Sequence, residues 1–262
     1  MDRKALQKLL TACRGRVDPS AYGFERREGR GRRAVGLSQY QMDRLLMRAE
    51  GTYGRFERGD LDNPSLEFLR DVGRTLKMSE REWTALWLYG AGHQPPCALA
   101  PAKTDPLPDV WRGVVDGITH IAYVNDAGWN VVAHNAAAAA MFPRGQMPAN
   151  VMRWMALDQE AREFSLPDWE RTWAPAILSQ LRAAHATYPE NEDLARLDAE
   201  VKADPCAGPI YDGPLDAYIH PDGDERPIVH AQFGPGRLRM ATAQPLGSPG
   251  SRLMIMTFRF DD

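Results

Sequence analysis

The stretch from Gly36 to Gly59 places hydrogen-bond donors and cations on a pair of short predicted helices. Ser38 and Gln41 have the spacing of a capping box, in which the hydroxyl accepts from an amide of the first turn and the glutamine reaches back. Apolar residues recur at helical spacing on both sides of a break near Met47, which predicts two helices around one small core. Side chains able to contact base edges or phosphates are left outside that core. They are Ser38, Gln39, Glu50, Gly51, Thr52, Arg55 and Arg58.

We expect Arg55, with Glu50 and Gly51, to lie at base edges, since arginine bound to guanine is the commonest specific contact with DNA. Phosphate contacts are expected from Gln39, Thr52 and Arg58. An ordinary helical hairpin without a nucleic-acid partner is the alternative. Such hairpins are common, but few carry this exposed set of Arg, Thr and Gln side chains.

An arginine-rich segment precedes these two helices. Residues 24–33, FERREGRGRR, hold five Arg and two Glu, a composition too polar to form core. We interpret it as a basic arm that follows phosphates or enters a minor groove through Arg30, Arg32 and Arg33. A solvated loop is the alternative.

Charge is spread unevenly along the 262 residues. The first 59 residues hold 14 Lys and Arg against 7 Asp and Glu, whereas residues 100–262 hold 14 against 22. A basic front and an acidic back predict a polyanion-binding module joined to a domain that does not touch phosphate. The length favours two domains, and a hydrophobic fraction of 44% is typical of a folded chain.

Catalytic and metal-binding motifs are missing from the sequence. The six His residues are scattered, and Cys13, Cys97 and Cys206 lack the spacing of metal ligands. There is no G-x-S-x-G, Walker or G-x-G-x-x-G motif, so we expect neither an enzyme nor a cofactor. A redox sensor built on Cys206 is the alternative, which its neighbours do not support. Without a signal peptide or an apolar run of about 18 residues, a reduced cytoplasmic protein with no membrane partner is expected.

The pattern divides the chain into three parts. Residues 1–90 predict an all-α domain of about five helices, in which Ser79 and Glu82 form a second capping box. Residues 91–108 are rich in proline and predict a semi-extended linker. Residues 109–262 predict an α+β domain.

That second domain begins with a short helix and then changes period. A β-hairpin is predicted first, by the runs 120–124 and 129–133. Helical patterns then cover residues 135–142, 151–157, 168–185 and 193–202. Three final strands are expected at 228–233, 238–244 and 253–260, separated by the turns Gly234-Pro235-Gly236 and Gly247-Ser248-Pro249-Gly250. This order is typical of a PAS-like domain with a five-stranded antiparallel sheet and a cavity between its layers.

The helical pair resembles the Xre-type helix-turn-helix, whose pattern is L-S-Q followed by T-[IY]-x-R-[IFL]-E-x-G. Nine residues match that pattern in register: Leu37, Ser38, Gln39, Thr52, Tyr53, Arg55, Phe56, Glu57 and Gly59. The chain departs from it at Asp43, where a small residue is usual, and at Met47, which replaces the glycine of the turn. The resemblance implies a double-stranded DNA operator as partner, bound by a homodimer on two half-sites.

The second domain resembles the ligand-binding domain of MmyB-like transcription regulators. WNVVAHN at 129–135 is similar to the family's W-[DN]-V-x-A-x-N motif, NVMRWMALD at 150–158 to N-x-x-R-W-x-x-x-D, and DWE at 168–170 to D-W-E. Behind Pro205 the W-x-x-H of the family is replaced by a stretch containing Tyr218 and His220. The resemblance implies a PAS-like sensor that holds a small apolar or amphipathic ligand, such as a fatty acid, and adjusts DNA binding.

Ligand contacts are predicted on these motifs and on the helices expected to cover the sheet, at Trp129, Asn135, Arg153, Trp154, Met155, Phe164, Trp169 and Trp173. Met is a common lining of adaptable pockets, and an inward Arg153 could bind a carboxylate with two nitrogens. Each aromatic residue could instead be ordinary core, and Asn135 and Arg153 could tie helices to strands. For the whole domain, a docking surface for a protein partner is the alternative, which would make the chain a DNA-bound adaptor.

Overall fold

A computed structural model of the chain describes residues 2–24, 36–99, 107–214, 222–245, 248 and 250–260. The chain divides into two compact units. We call Met1–Ala100 the helical unit and Pro101–Asp262 the sheet unit.

The described part of the helical unit contains five α-helices, as the sequence predicts. They are α1 Arg3–Arg16, α2 Gln39–Leu45, α3 Thr52–Glu57, α4 Leu66–Thr75 and α5 Glu80–Gly90. Both predicted capping boxes are confirmed, since Ser38 with Gln41 begins α2 and Ser79 with Glu82 begins α5. Local capping chemistry therefore sets where two of the helices start.

The apolar faces of these helices meet in one core. Tyr53 and Phe56 of α3 are fully buried there together with Trp83 of α5. Phe56 packs edge-on against Phe68 of α4, with ring centroids 5.1 Å apart. Because α3 turns these rings inward, Arg55 on its opposite face is exposed.

Residues 97–99, within the predicted linker, belong to the helical unit. The Cys97 carbonyl accepts a hydrogen bond from the Trp83 indole N–H at 2.8 Å. The Leu99 amide donates to Glu80 Oε2 at 3.1 Å, and the Leu99 side chain is buried in the helical core. This segment therefore packs on α5, and residues 100–106 of the linker lie outside the described residues.

The sheet unit contains the predicted five-stranded antiparallel sheet. Its strands are β1 Ile121–Asn125, β2 Val131–His134, β3 Glu225–His230, β4 Gly234–Ala243 and β5 Arg252–Phe260. The strand order is β2-β1-β5-β4-β3, and every neighbouring pair is antiparallel. The hairpin of β1 and β2 and the three late strands thus confirm the α+β PAS-like architecture.

Helices lie on both faces of this sheet. The described α-helices are α6 Val110–Asp116, α7 Ala136–Ala140, α8 Val151–Leu157, α9 Ala174–Thr187, α10 Glu192–Ala203 and α11 Ala207–Asp212. Helix α6 packs Val115 against Ala122 and Val124, while α7 to α11 belong with the large core on the other face. Since β1 is covered from both sides, all five of its residues are buried.

The helix predicted over residues 168–185 is divided in the structure. A π-helical turn, Trp169–Trp173, precedes α9, and a second π-helical turn lies at Ala161–Ser165. Pro175 stands in the first turn of α9. Because proline has no amide hydrogen, the chain cannot continue one uniform hydrogen-bond ladder through this position.

The predicted turn at Gly234-Pro235-Gly236 is wrong, because these residues are the first part of β4 and pair with residues 228–230 of β3. The chain reverses one step earlier, between His230 and Gly234. At Gly236 an added Cβ would lie only 2.4 Å from the Phe258 ring of β5. Glycine at this position therefore serves the close approach of an aromatic ring.

Candidate functional site

The polar face of α3 carries two exposed arginines. Arg55 is exposed on the helix and Arg58 at its C-cap, Glu50 and Gly51 are exposed just before it, and Thr52 is half-buried. Asp60 contacts both guanidinium groups, since its carboxylate is 3.3 Å from Arg58 Nε and its carbonyl is 3.4 Å from Arg55 Nη2. The two cations are thus oriented at one end of α3 while they remain open to solvent.

Residues of α2 meet this face. An added Cβ on the buried Gly54 would lie 3.0 Å from Gln39 Oε1 and 3.4 Å from Arg58 Nη1. The structure therefore brings Gln39 and Arg58 together over Gly54, where a larger side chain would displace them. Ser38 accepts from the Gln41 amide at 3.1 Å, which leaves its hydroxyl hydrogen able to donate.

Glu57 is the buried centre behind this surface. It is 3% exposed, and its carboxylate accepts from Arg14 Nε at 3.0 Å and from Gln39 Nε2 at 2.9 Å. Burial alone would raise the pKa of Glu57, but the hydrogen bonds from Arg14 and Gln39 outweigh it and hold the pKa below its ordinary value. The ion pair joins α1 to α3, and the sequence pattern did not indicate Arg14 as its partner.

Three residues assigned to the basic arm, Arg30, Arg32 and Arg33, lie outside the described residues. Tyr218 and His220, which stand near the altered family motif, lie outside them too. The arm therefore stays a prediction.

In the sheet unit, five of the predicted ligand residues gather around the layer between the sheet and the helices. Trp129, Trp169 and Trp173 are buried, and Trp154 and Met155 are half-buried. The Trp169 indole donates to the Met155 carbonyl at 2.8 Å, and the Trp173 indole donates to the Pro227 carbonyl at 3.0 Å. Both indole N–H groups thus donate to backbone carbonyls, and the rest of each ring is apolar surface.

Asn135, another predicted ligand residue, is buried and bonded to backbone on all sides. Its Oδ1 accepts from the amides of Ala122 and Ala138, and its Nδ2 donates to the carbonyls of Ile118 and His120. The side chain thus ties α7 to β1 and to the chain before it. This arrangement matches the structural alternative for Asn135.

Arg153 and Phe164 lie on the outside of the unit. Arg153 is exposed on α8 and forms an ion pair with Glu200 of α10. The Phe164 side chain is 67% exposed. The structure therefore does not place these two residues within the layer between sheet and helices.

Sequence reasoning missed the sheet side of that layer. Five buried Met side chains belong to its core, namely Met141, Met152, Met240, Met254 and Met256. Tyr123 of β1 lies opposite Met254 of β5 in the register. Burial raises the pKa of Tyr123, so its phenol is a neutral hydrogen-bond donor at physiological pH. The alternation of polar and apolar residues from Arg237 to Met240 was the signal in the sequence for the inward direction of Met240.

Two classes of feature are missing from the described residues. They contain no group of three His, Cys, Asp or Glu placed to hold a metal ion. Nor does any helix in that part of the chain have the length and apolar character needed to cross a membrane.

Comparison with known proteins agrees with this architecture. The family model described as the MmyB-like transcription regulator ligand binding domain matches residues 108–262, which include the whole described sheet and its helices. No curated protein matches the chain. The match covers more than half of the sequence, and the chain therefore belongs to the MmyB-like transcription regulators.

Proposed function

We propose that this regulator binds a double-stranded DNA operator through α2 and α3, and that its sheet unit holds a small apolar or amphipathic molecule of the fatty-acid type. It acts in the cytoplasm as a homodimer on two half-sites about one DNA turn apart. The observation that carries the proposal is that α3 has two different faces. One face buries Tyr53 and Phe56, and the other exposes Arg55 together with Arg58 at the C-cap.

Within this proposal the base contacts come from Arg55 with Glu50 and Gly51. Arg58, Gln39 and Thr52 contact phosphates, and phosphate contacts fix the register of a protein on DNA. Support comes from the position of Arg58 beside Gln39 over Gly54, because two neighbouring side chains can contact the same stretch of the DNA sugar-phosphate backbone. The basic composition of residues 1–59 favours the same polyanionic partner.

Ligand binding is proposed for the layer between sheet and helices. Its Met side chains are flexible and polarisable, which suits an apolar molecule of variable shape. The rings of Trp129, Trp169 and Trp173 border the same layer, and Tyr123 can donate one hydrogen bond to a polar head group. The match of residues 108–262 to a family model described as a ligand binding domain supports the assignment.

Replacing Arg55 by Ala tests the DNA-reading surface. A duplex selected from a random pool by the wild-type protein is compared with a shuffled duplex of equal composition. We expect R55A to lose about 1–3 kcal/mol of the preference for the selected duplex, because one bidentate contact with a base is removed. The preference is measured by titration of both duplexes at one salt concentration.

Arg81 provides the matched control for this experiment, because it is an exposed arginine on α5. R81A should keep the preference for the selected duplex. Equal preference in R55A and the wild type would show that another face of the helical unit meets DNA.

A DNA-bound adaptor that docks a protein on the sheet unit is the second candidate. It is favoured by an aromatic patch at the end of the sheet, where the Phe233 and Phe260 side chains are 50% and 67% exposed with ring centroids 6.2 Å apart. Exposed aromatic groups of this kind are common at protein interfaces. The two candidates differ in whether purified protein contains a small molecule.

A further inference from the structure

The first turn of α3 has an unusual cap. Gly51, its N-cap residue, has a φ of +85° and no side chain to accept a hydrogen bond. Asp43, on α2, takes that role from another helix. Its Oδ2 accepts from the Gly51 amide and its Oδ1 from the Tyr53 amide, each at 2.7 Å.

The Asp43 carboxylate is buried inside the helical unit. It is 3% exposed, and a buried carboxylate is costly unless donors surround it. Two charge-assisted hydrogen bonds to backbone amides meet that need. Because its two oxygens hold amides two positions apart, the carboxylate constrains both the direction and the rotation of the first turn of α3.

The turn between α2 and α3 depends on such a constraint. Met47, where the Xre-type pattern has glycine, adopts a φ of +53°, and its side chain is 91% exposed. A residue other than glycine in this left-handed conformation loses about 1–2 kcal/mol. The usual small residue at position 43 has no atom that could reach either amide. The two departures from the pattern, Asp43 and Met47, are four positions apart, and the carboxylate adds two hydrogen bonds on the far side of the turn that Met47 begins.

We infer that Asp43 is a positioning residue for the DNA-reading surface. It fixes the orientation of α3, and thereby of Thr52 and Arg55, while its own burial keeps it from contact with DNA. The inference rests on the proposed DNA binding of the helical unit. In this inference, the accuracy of base recognition by α3 depends on a residue of the preceding helix, α2.

The test compares three full-length variants, Asp43→Ala, Asp43→Asn and Ser65→Ala. Ser65 is the matched control, because its hydroxyl caps α4 by accepting from the Phe68 amide at 3.2 Å. Each variant is titrated with the duplex selected by the wild type and with a shuffled duplex. Binding is measured well below the melting temperature of each protein.

We expect D43A to lower the preference for the selected duplex about 5- to 30-fold, because the stability that a cap gives a helix is then lost from the orientation of α3 that reads the bases. D43N should lose less, because its one carbonyl oxygen still accepts from one of the two amides. S65A should lower the melting temperature but keep the full preference. Phosphate contacts tolerate a displaced helix better than base contacts do, so binding to the shuffled duplex should change little.

Amide hydrogen exchange at Gly51 and Tyr53, compared with amides elsewhere in the core of the helical unit, separates a lost cap from a general loss of stability. The amides of Gly51 and Tyr53 should lose protection in D43A and keep it in S65A. If D43A retained the wild-type preference, or if both amides stayed protected, Asp43 would not position α3. Should D43A fail to fold, D43N decides the question by the same two measurements.

Failure of the proposed function is seen separately from failure of this inference. A wild-type protein that selects no sequence from the random pool overturns DNA reading itself, and the inference with it. A wild type that selects a duplex, together with a D43A variant that binds it equally well, overturns the inference alone.

Discussion

At the scale of single residues, the buried carboxylate of Glu57 matters most for the helical unit. It pairs with Arg14, 43 positions earlier, and also accepts from Thr11 Oγ1 at 3.3 Å. Removing one partner of a buried ion pair leaves the other charge without compensation, which is strongly destabilising. The reading surface thus rests on a contact that joins the first helix to the third.

Replacing Glu57 by Gln should lower the free energy of unfolding of the helical unit by about 3 kcal/mol at pH 7. The pKa of Glu57 is depressed in the folded state, so its contribution is fully present above the ordinary value of 4.5 and is lost as the pH falls through the folded value. Wild type and E57Q should therefore converge in acid. Urea unfolding between pH 3 and pH 7, followed by hydrogen exchange of peptides from residues 2–99, measures this convergence.

Glu82 supplies the control for that experiment. It pairs with Arg16 nearer the surface, where the Arg16 side chain is 45% exposed to screening solvent, and the hydrogen bonds from Arg16 hold the pKa of Glu82 below its ordinary value. Glutamine can keep the capping box with Ser79, and a partly exposed ion pair contributes about 1 kcal/mol at most. A loss as large in E82Q as in E57Q would mean that burial does not distinguish the two pairs.

At the scale of elements, asparagines begin three helices of the sheet unit. Asn135, Asn150 and Asn191 cap α7, α8 and α10 through their side-chain oxygens. Asn135 differs from Asn191 because its amide nitrogen also holds two carbonyls before β1. The same residue type therefore has a local role in α10 and a connecting role between α7 and the sheet.

Asn135→Ala should cost the sheet unit about 2–4 kcal/mol, because the lost cap also leaves buried backbone groups without partners. Asn191→Ala should cost only about 1 kcal/mol, since it removes a cap alone. Both side chains are buried, so the pair compares like with like. Thermal unfolding of the two variants gives the order, and equal losses would show that the contacts with Ile118 and His120 add nothing.

Local signals in the sequence were enough for most element boundaries. Ser79 and Glu82, three residues apart, fix the start of α5, and alternation fixes the inward face of β4. Gly236 was assigned to a turn because the reason for its glycine, the Phe258 ring, is 22 positions away. The sequence also did not predict the short helix α11 after Pro205, because six residues are too few to show a helical periodicity.

The candidate site was predictable to the same limit. Arg55 and Arg58 were placed on the exposed face of α3 by apolar spacing, which is a local property. Arg14, and the role of Asp43 as a cap, depend on contacts between helices that spacing does not encode. Among the predicted ligand residues, Arg153 has helical spacing compatible with either side of α8, and its ion pair with Glu200 is the contact that fixes it outside.

At the scale of the whole molecule, the chain consists of two units with separate cores and opposite net charge. The basic unit carries the proposed reading surface, and the acidic unit carries the Met-rich layer. A ligand that binds only the folded sheet unit stabilises that unit by mass action, and the helical unit then serves as an internal reference. This separation allows the sensor and adaptor proposals to be told apart in one protein.

Saturated fatty acids of increasing chain length should raise the melting temperature of the sheet unit and leave that of the helical unit unchanged. At a free ligand concentration of 100 times the dissociation constant, the free energy of unfolding of the sheet unit rises by about 2.7 kcal/mol. Met256→Gln should abolish the gain because Met256 faces the layer, whereas Ile255→Gln should keep it because Ile255, its neighbour on β5, packs on the side of α6.

Mass spectrometry of an organic extract of the purified protein provides the independent measurement. An extract without a small molecule, together with unchanged melting in every fatty acid, would favour the adaptor, whose exposed Phe233 and Phe260 would then be the place to seek a protein partner.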